Sequence, residues 1–359
     1  MYLIISHFTE NKWTTDYFLD YLKSKWEKYY YLRHPFHFEN DLSYSELLYF
    51  DGKNITVVWK YKKFNSFLLD IIRNILLSFY IWIKLSFKTN KIVWFWWFNI
   101  FPFLYLKLFW KKTYFWGVDY STKRFWNNFL NKIYFFLETI SCLFTSKVIS
   151  SSYRQNEARI KFNHLKKEKW IIINNWINEF SFEKDFSKYK QLSFFYLGSI
   201  THQHWIIDFI TYFYVKKNIN NKLYIIWWWE KEKELISLIK NNNLNTKVIY
   251  LWRKKFDDIV DFLKNIEEKL IWIAPYTDSQ NDHVYYWDSL KIREYLSYNL
   301  PFLVSDKTYV NDDLKDFWFI YDSFENIDIS KIEKYNLDID KKNNILKKYY
   351  WHNLFNNFF

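Results

Sequence analysis

The chain has 359 residues, 25% of them charged, and a formal net charge of +12. That is length enough for two domains, with a basic excess that favours anionic partners. A single cysteine, Cys142, excludes an internal disulfide and fits a reducing cytoplasm; its apolar neighbours suit a packed thiol better than a nucleophile.

Among anionic partners, nucleotide diphosphates and anionic lipid head groups suit the sequence better than nucleic acid. Lysine is spread along the chain, and no nucleic-acid-binding motif accompanies it.

In chain order, 2–6 is a short apolar strand with no basic segment before it, so no signal peptide is expected. A loop over 7–13 leads into a helix through Tyr21, capped by Thr14 or Thr15, and then a strand over 29–32. His34 and His37 follow in the run HPFH, where a solvated loop is expected rather than a metal site. Residues 64–87, interrupted by Asp70, Arg73 and Lys84, form an amphipathic helix that packs on the core or rests on a membrane surface. Residues 92–106 lack charge, but the run is shorter than the roughly 20 residues a spanning helix needs. Asn99 and Pro102 interrupt it, so a buried strand, a turn and a helix start are expected there.

A strand over 113–116 ends at Gly117 and Asp119. A strand over 147–150, a helix over 151–162 and a strand over 170–173 complete the first half. The polar turn 174–178 and a charged, aperiodic linker over 180–190 follow. The second half reads as strand 192–197, Gly198 and Ser199, helix 206–214, strand 223–226, helix 230–240, strand 248–251 and helix 256–264. This alternation argues for parallel sheets.

Glycine is scarce and tryptophan abundant, at 3 and 21 residues. An average chain of this length would hold roughly 25 glycines, close to the two counts together. The tryptophans also stand where backbone geometry asks for glycine. Trp227, Trp228 and Trp229 separate an apolar strand from a charged helix; Trp252 follows the strand 248–251, and Trp176 sits in the turn 174–178. Either the protein is unusually aromatic, or UGA codons read as glycine in the cell have been translated as tryptophan. The sequence favours the second reading. On that reading Trp13, Trp176, Trp228, Trp229, Trp252 and Trp287 lie at strand-to-helix turns lining a cleft, some of them with positive φ.

The stretch 269–306 carries most of the chemistry. The strand 270–274 stops at Pro275, and a polar loop follows. Ser289 is an N-cap for a helix with apolar residues at 290, 292, 295 and 296. Asn299 can close that helix in the left-handed conformation, Pro301 forbids its continuation, and 302–304 is the next strand. A helix amino end beside the carboxyl ends of parallel strands is where open α/β sheets bind phosphorylated ligands. Lys291 and Glu294 project there from one helical face.

Pro275, Asp288, Ser289, Lys291, Glu294, Tyr295, Leu296, Pro301, Ser305 and Asp306, in that order, resemble the donor-sugar segment of the family 4-like glycosyltransferases of the GT-B fold. The run 115–134 resembles one branch of that family, in which Trp116 is a true tryptophan, as is Trp351. The resemblance implies two Rossmann-like, doubly wound parallel-sheet α/β domains facing a central cleft. Residues 1–175 would form the acceptor side, with a last helix over 343–359 packing back on it, and 176–342 the nucleotide-sugar domain.

The activity implied is transfer of a sugar from a nucleotide sugar to a glycan or lipid-linked acceptor in cell-surface polysaccharide synthesis, with retention, in the cytoplasm or peripherally at the inner face of the membrane. A non-catalytic nucleotide-sugar-binding homologue and a GT-B epimerase or hydrolase are the rivals. By the same resemblance Glu294 takes the ribose hydroxyls, and Lys291 and Arg253 face the diphosphate. Gly198, Ser199, Ser289 and position 287, where Trp287 replaces the family glycine, line the donor. Asp119 lies against the reacting sugar and shares the catalytic role with Lys291, while Trp13 and Thr14 form the acceptor and phosphate loop.

Two departures stand out. Tyr286 replaces a second acid, and Ser199, Ile200 and His204 occupy a loop that often carries Arg and Lys. No Asp-x-Asp motif falls in a suitable loop; 338–340 has the spacing in a late charged segment. Transfer without a cofactor or protein-bound metal is therefore expected, with Mg²⁺ acting through the diphosphate still compatible.

Overall fold

The computed structural model describes residues 1–8, 14–35, 44–62, 67–85, 87–95, 111–117, 120–122, 124, 128–177, 179, 182–198, 205–226, 231–275, 283–286 and 288–358. The chain divides into two compact units, Met1–Asn174 with Trp351–Phe359, and Asn175–Tyr350.

The first unit runs β1 (Tyr2–Phe8), α1 (Thr14–Ser24), β2 (Tyr29–Pro35), β3 (Tyr44–Phe50), β4 (Ile55–Lys62), α2 (Phe67–Leu85), β5 (Lys91–Phe95) and β6 (Lys112–Gly117). It continues with α3 (Asn128–Phe144), β7 (Lys147–Ser150), α4 (Tyr153–Asn163) and β8 (Trp170–Ile172). Its eight strands lie in the order β4-β3-β2-β1-β5-β6-β7-β8. From β2 through β8 all pairs are parallel, but β2, β3 and β4 form an antiparallel ribbon. Strand–helix alternation does not announce that ribbon. Its turn is built by Asp51, whose carboxylate accepts the amides of Lys53 and Asn54 at 2.7 and 2.8 Å, with Gly52 at φ 108°.

Strand alternation sorts the core into two faces. Leu3, Ile5, Ile92 and Phe115 pack with Leu77 and Ile81 of α2 and Leu137 and Cys142 of α3. On the opposite face Trp116 meets Phe18 of α1 at 5.7 Å and Phe355 at 5.8 Å. Phe355 belongs to the last helix of the chain, so 351–359 completes this core.

His34 corrects the expectation of a solvated loop. It ends up inside the fold on β2, its Nδ1 3.0 Å from Ser45 Oγ and its Nε2 3.1 Å from Ser78 Oγ. Burial, with His7 and Arg73 adding to it, holds its pKa well below the usual histidine range, so it is neutral. His37 and 96–106 lie outside the described residues. Among the described residues no group of His, Cys, Asp and Glu could hold a metal, and no helix is long and apolar enough to cross a membrane.

The second unit contains β9 (Leu192–Leu197), α5 (Ile206–Ile210), β10 (Lys222–Ile226), α6 (Glu232–Asn241), β11 (Val248–Tyr250), α7 (Phe256–Asn265) and β12 (Lys269–Ala274). Then come α8 (His283–Tyr286), α9 (Leu290–Ser297), β13 (Phe302–Ser305), β14 (Trp318–Tyr321), α10 (Ile329–Lys334) and α11 (Ile339–Leu346). The six strands are all parallel, in the order β11-β10-β9-β12-β13-β14. Every residue of β12 is buried, as a central parallel strand covered on both faces requires.

The segment read as a linker is part of this unit's core. Phe182 and Phe186 are buried against Tyr298 and Leu263, because two aromatics in a charged segment carry more burial energy than the charges forbid. The single helix expected over 343–359 is broken into the end of α11, a tight turn over Lys347–Tyr349 and α12 (Trp351–Asn356).

Candidate functional site

The second sheet reverses direction at one place. From β9 the chain adds β10 and β11 on one side, then returns to place β12 on the other side of β9. The carboxyl ends of β9 and β12 therefore border the switch point, where open α/β sheets hold ligands.

Gly198 follows β9 at that point, and Lys291, in the first turn of α9, reaches it. The Lys291 ammonium donates to the Leu197 carbonyl at 3.2 Å. A Cβ on Gly198 would stand 2.8 Å from Lys291 Nζ and 3.1 Å from Tyr196 Oη, so only glycine leaves this space to the ammonium. Burial pushes the Lys291 pKa down to about 8, with Glu294 working against the shift. Burial raises the Glu294 carboxyl, with Lys291 opposing. Both are half-buried, and each charge favours the ionised form of the other.

The helix is set by contacts that its own sequence does not display. Asp288 is buried and accepts Arg293 Nη1 at 2.8 Å and the Asn175 amide at 2.7 Å. The Arg293 guanidinium lies 4.2 Å over the Tyr349 ring. Ser289 stands at the N-cap position with no side-chain cap bond, contrary to expectation. Its hydroxyl is buried with no hydrogen-bond partner among the described residues. At the other end Asn299 adopts φ 61° as expected, and its side chain binds the Phe182 and Lys184 carbonyls and the Lys342 ammonium.

Other expected residues are less closely gathered. Arg253 is exposed just after the edge strand β11, two strand spacings or about 10 Å from β9. Trp252 before it is 57% exposed with φ 61°. Trp176 is buried and outside the left-handed region, so it does not behave as a strained glycine turn. Tyr286 is buried, edge-on to Tyr285 at 5.1 Å. Asp119, Ser199, Trp287, Trp13, Trp228 and Trp229 lie outside the described residues.

In the first unit the switch point falls between β1 and β5, and Thr14 opens α1 after β1. Thr15 is inside the helix and shares a 2.7 Å hydrogen bond with Ser6 instead of capping. Sequence reasoning missed Arg159. This guanidinium is fully buried, donates to Glu138 at 2.7 Å and to the Gly117 carbonyl at 3.3 Å, and would collide with any Cβ at 117. It fixes the end of β6, two residues before position 119. Glu138 is the lone acid of a mostly apolar helix, but Arg159 stands among Arg154, Glu157 and Lys161, so nothing in the sequence set it apart.

No protein-family model and no curated protein sequence matches this chain. Solved structures do match over its whole length. The apo form of the lipopolysaccharide outer core galactosyltransferase WaaB is 11% identical, covers 99% of this chain and 98% of its own, and superposes with a TM-score of 0.66. HepE from Anabaena in complex with UDP is 12% identical over 99% and 98%, at 0.62. A glycosyltransferase from Rickettsia africae ESF-5 is 12% identical over 99% and 94%, at 0.60.

The chain has the GT-B fold. In this GT-B chain each sheet carries its own switch point, and at the second Lys291 meets Gly198.

Proposed function

We propose that this chain is a family 4-like glycosyltransferase that moves a sugar from a nucleotide-sugar donor, with retention, to a glycan or lipid-linked acceptor of cell-surface polysaccharide synthesis. Its setting is cytoplasmic, at the inner face of the membrane. The observation that carries the reading is the meeting of Lys291 with Gly198 at the switch point, with Glu294 one turn along.

Glycosyl transfer leaves a nucleoside diphosphate, so negative charge grows on the departing phosphate oxygen. A preorganised ammonium at that oxygen lowers the barrier more than it stabilises the ground state. Lys291 takes this role. Glu294 accepts from the ribose hydroxyls, and Arg253 adds longer-range positive charge. The unpartnered Ser289 hydroxyl and the Ser199 amide serve the phosphates beside Gly198, whose own amide donates to the Ile226 carbonyl at 3.3 Å. Asp119 is assigned to the reacting sugar, and Thr14 with position 13 to the acceptor side. Transfer needs no protein-bound metal; Mg²⁺ would arrive with the diphosphate. HepE solved with UDP and with UDP and glucose lends support.

A nucleotide-sugar panel tests the reading. Acceptor-dependent release of nucleoside diphosphate with retained anomeric configuration supports transfer. Donor binding without turnover for any acceptor favours the non-catalytic rival, and release without acceptor favours a hydrolase.

UGA-encoded glycine is part of the proposal. Among the described residues seven non-glycine residues have positive φ; three are asparagine, the usual substitute for glycine, and three are Trp26 (56°), Trp205 (36°) and Trp252 (61°). An indole gains nothing from that conformation, whereas glycine adopts it freely. Trp116, buried and stacked on Phe95 at 4.9 Å, stays a tryptophan in this reading. UGG codons at 227–229 and 252 would refute it.

A further inference from the structure

α2 and α3 have their polarity inverted. The residues of α2 that face solvent are Leu69, Ile72, Leu76, Tyr80 and Ile83, each 46% exposed or more, with Lys84 beside them. Its polar residues Asp70, Asn74 and Ser78 face inward, where Arg73, Ser45 and His34 satisfy them. On α3 the exposed residues include Phe129, Leu130, Ile133 and Phe136, while Glu138 is buried against Arg159. A helix at a water-facing surface carries the opposite arrangement. Both helices share one core with the same strand residues, so they cover the same face of the first sheet and their outer sides point the same way.

The charges on these helices select the occupant. Their acids are buried, and the exposed charged residues are Lys84, its ammonium 3.7 Å over the Trp59 ring, and Lys132, with Lys88 just beyond α2 next to Phe87, which is 90% exposed. Two copies of this face would bring like charges together, whereas an anionic bilayer complements them. None of the apolar residues named is a tryptophan; Trp59 of β4 supports the face, stacked on Tyr80 at 5.9 Å and under the Lys84 ammonium.

We infer that the outer faces of α2 and α3 form a docking surface for an anionic lipid bilayer, with the apolar side chains entering the head-group boundary and the lysines at the phosphates. This deepens the membrane-side part of the proposed function and rests on that part alone. Vesicle binding reads it without turnover, so loss of the transferase reading leaves it standing.

The test is sedimentation of the full chain with vesicles of phosphatidylglycerol and phosphatidylcholine in equal parts, against phosphatidylcholine alone. The chain should partition onto the anionic vesicles. Leu76→Glu with Phe136→Glu should lower that partition by at least about tenfold, and Lys84→Gln with Lys132→Gln by roughly fivefold per charge. All four sites are exposed, so circular dichroism should show native folding in both variants. Unchanged partition of the apolar variant, or equal partition of the chain onto neutral vesicles, overturns the inference. So does a dimer in sedimentation velocity that the same substitutions disperse while vesicles recruit nothing, which would assign the face to a second copy.

Discussion

Lys291 stands over Gly198 because glycine leaves the room: the ammonium bonds to the carbonyl of Leu197, 94 residues earlier, in the volume a Cβ would enter. This contact ties the first turn of α9 to the end of β9, and the donor site proposed here is assembled around it.

Gly198→Ala should therefore displace the Lys291 head without unfolding the chain, because a flexible lysine end can move. We expect thermal stability within about 1 kcal/mol of the parent and a nucleoside diphosphate affinity roughly tenfold to a hundredfold lower by calorimetry, as for loss of one charge-assisted hydrogen bond. Lys291→Ala and Glu294→Ala should each weaken the donor by a similar factor. Unchanged affinity in all three would remove the site assignment.

The depressed Lys291 pKa gives two pH signatures. Donor binding uses the ammonium, so affinity should fall as pH rises through about 8, and Lys291→Arg should abolish that fall because guanidinium stays charged. For stability the sign is opposite. The folded pKa lies below the ordinary 10.5, so the unfolded chain binds more protons between about 8 and 10.5. Stability of the ligand-free chain relative to Lys291→Met should rise with pH across that window, measured by urea unfolding. A flat difference would contradict the burial of this group.

The Asp288–Arg293 pair is buried at both ends, with the Asn175 amide as a further donor to the carboxylate. Asp288→Ala leaves a buried guanidinium uncompensated and should cost about 3–5 kcal/mol. Arg293→Met leaves the Asp288 carboxylate buried, but the Asn175 amide still donates to it and a proton can neutralise it, whereas a guanidinium cannot shed its charge, so this variant should cost less. Chemical denaturation of the two variants checks the order, and an equal or reversed order would mean that the pair is not what holds the start of α9.

Trp252→Gly and Trp26→Gly should be neutral or stabilising in a chain made with tryptophan at those places. Both indoles are more than half exposed, and left-handed backbone costs a bulky residue about 1–2 kcal/mol. Trp272→Gly should instead cost several kcal/mol, since that ring is buried in β12 and stacked on Tyr295 at 4.7 Å. Marked destabilisation by Trp252→Gly would count against the glycine reading.

What the sequence determined by itself was local. The apolar runs of β9, β10, β12 and β13 marked the strands of the second sheet. Asn299 and Pro301 marked the end of α9, and the spacing of Lys291 and Glu294 put them on one face. Each of these follows from steric or periodic rules acting over a few residues.

What only the tertiary structure decided depends on partners far away in the chain. His34 looks like a loop residue until Ser78, 44 positions on, is seen to close its second hydrogen bond. Ser289 looks like a cap until Asp288 is seen to be held by Arg293 and by Asn175, 113 positions earlier. Phe182 and Phe186 look like linker until the core takes them in. The outward apolar faces of α2 and α3 have the same periodicity as buried ones. A hydrophobic stripe states its spacing and not which side the sheet will cover, because only packing against distant strands makes that choice.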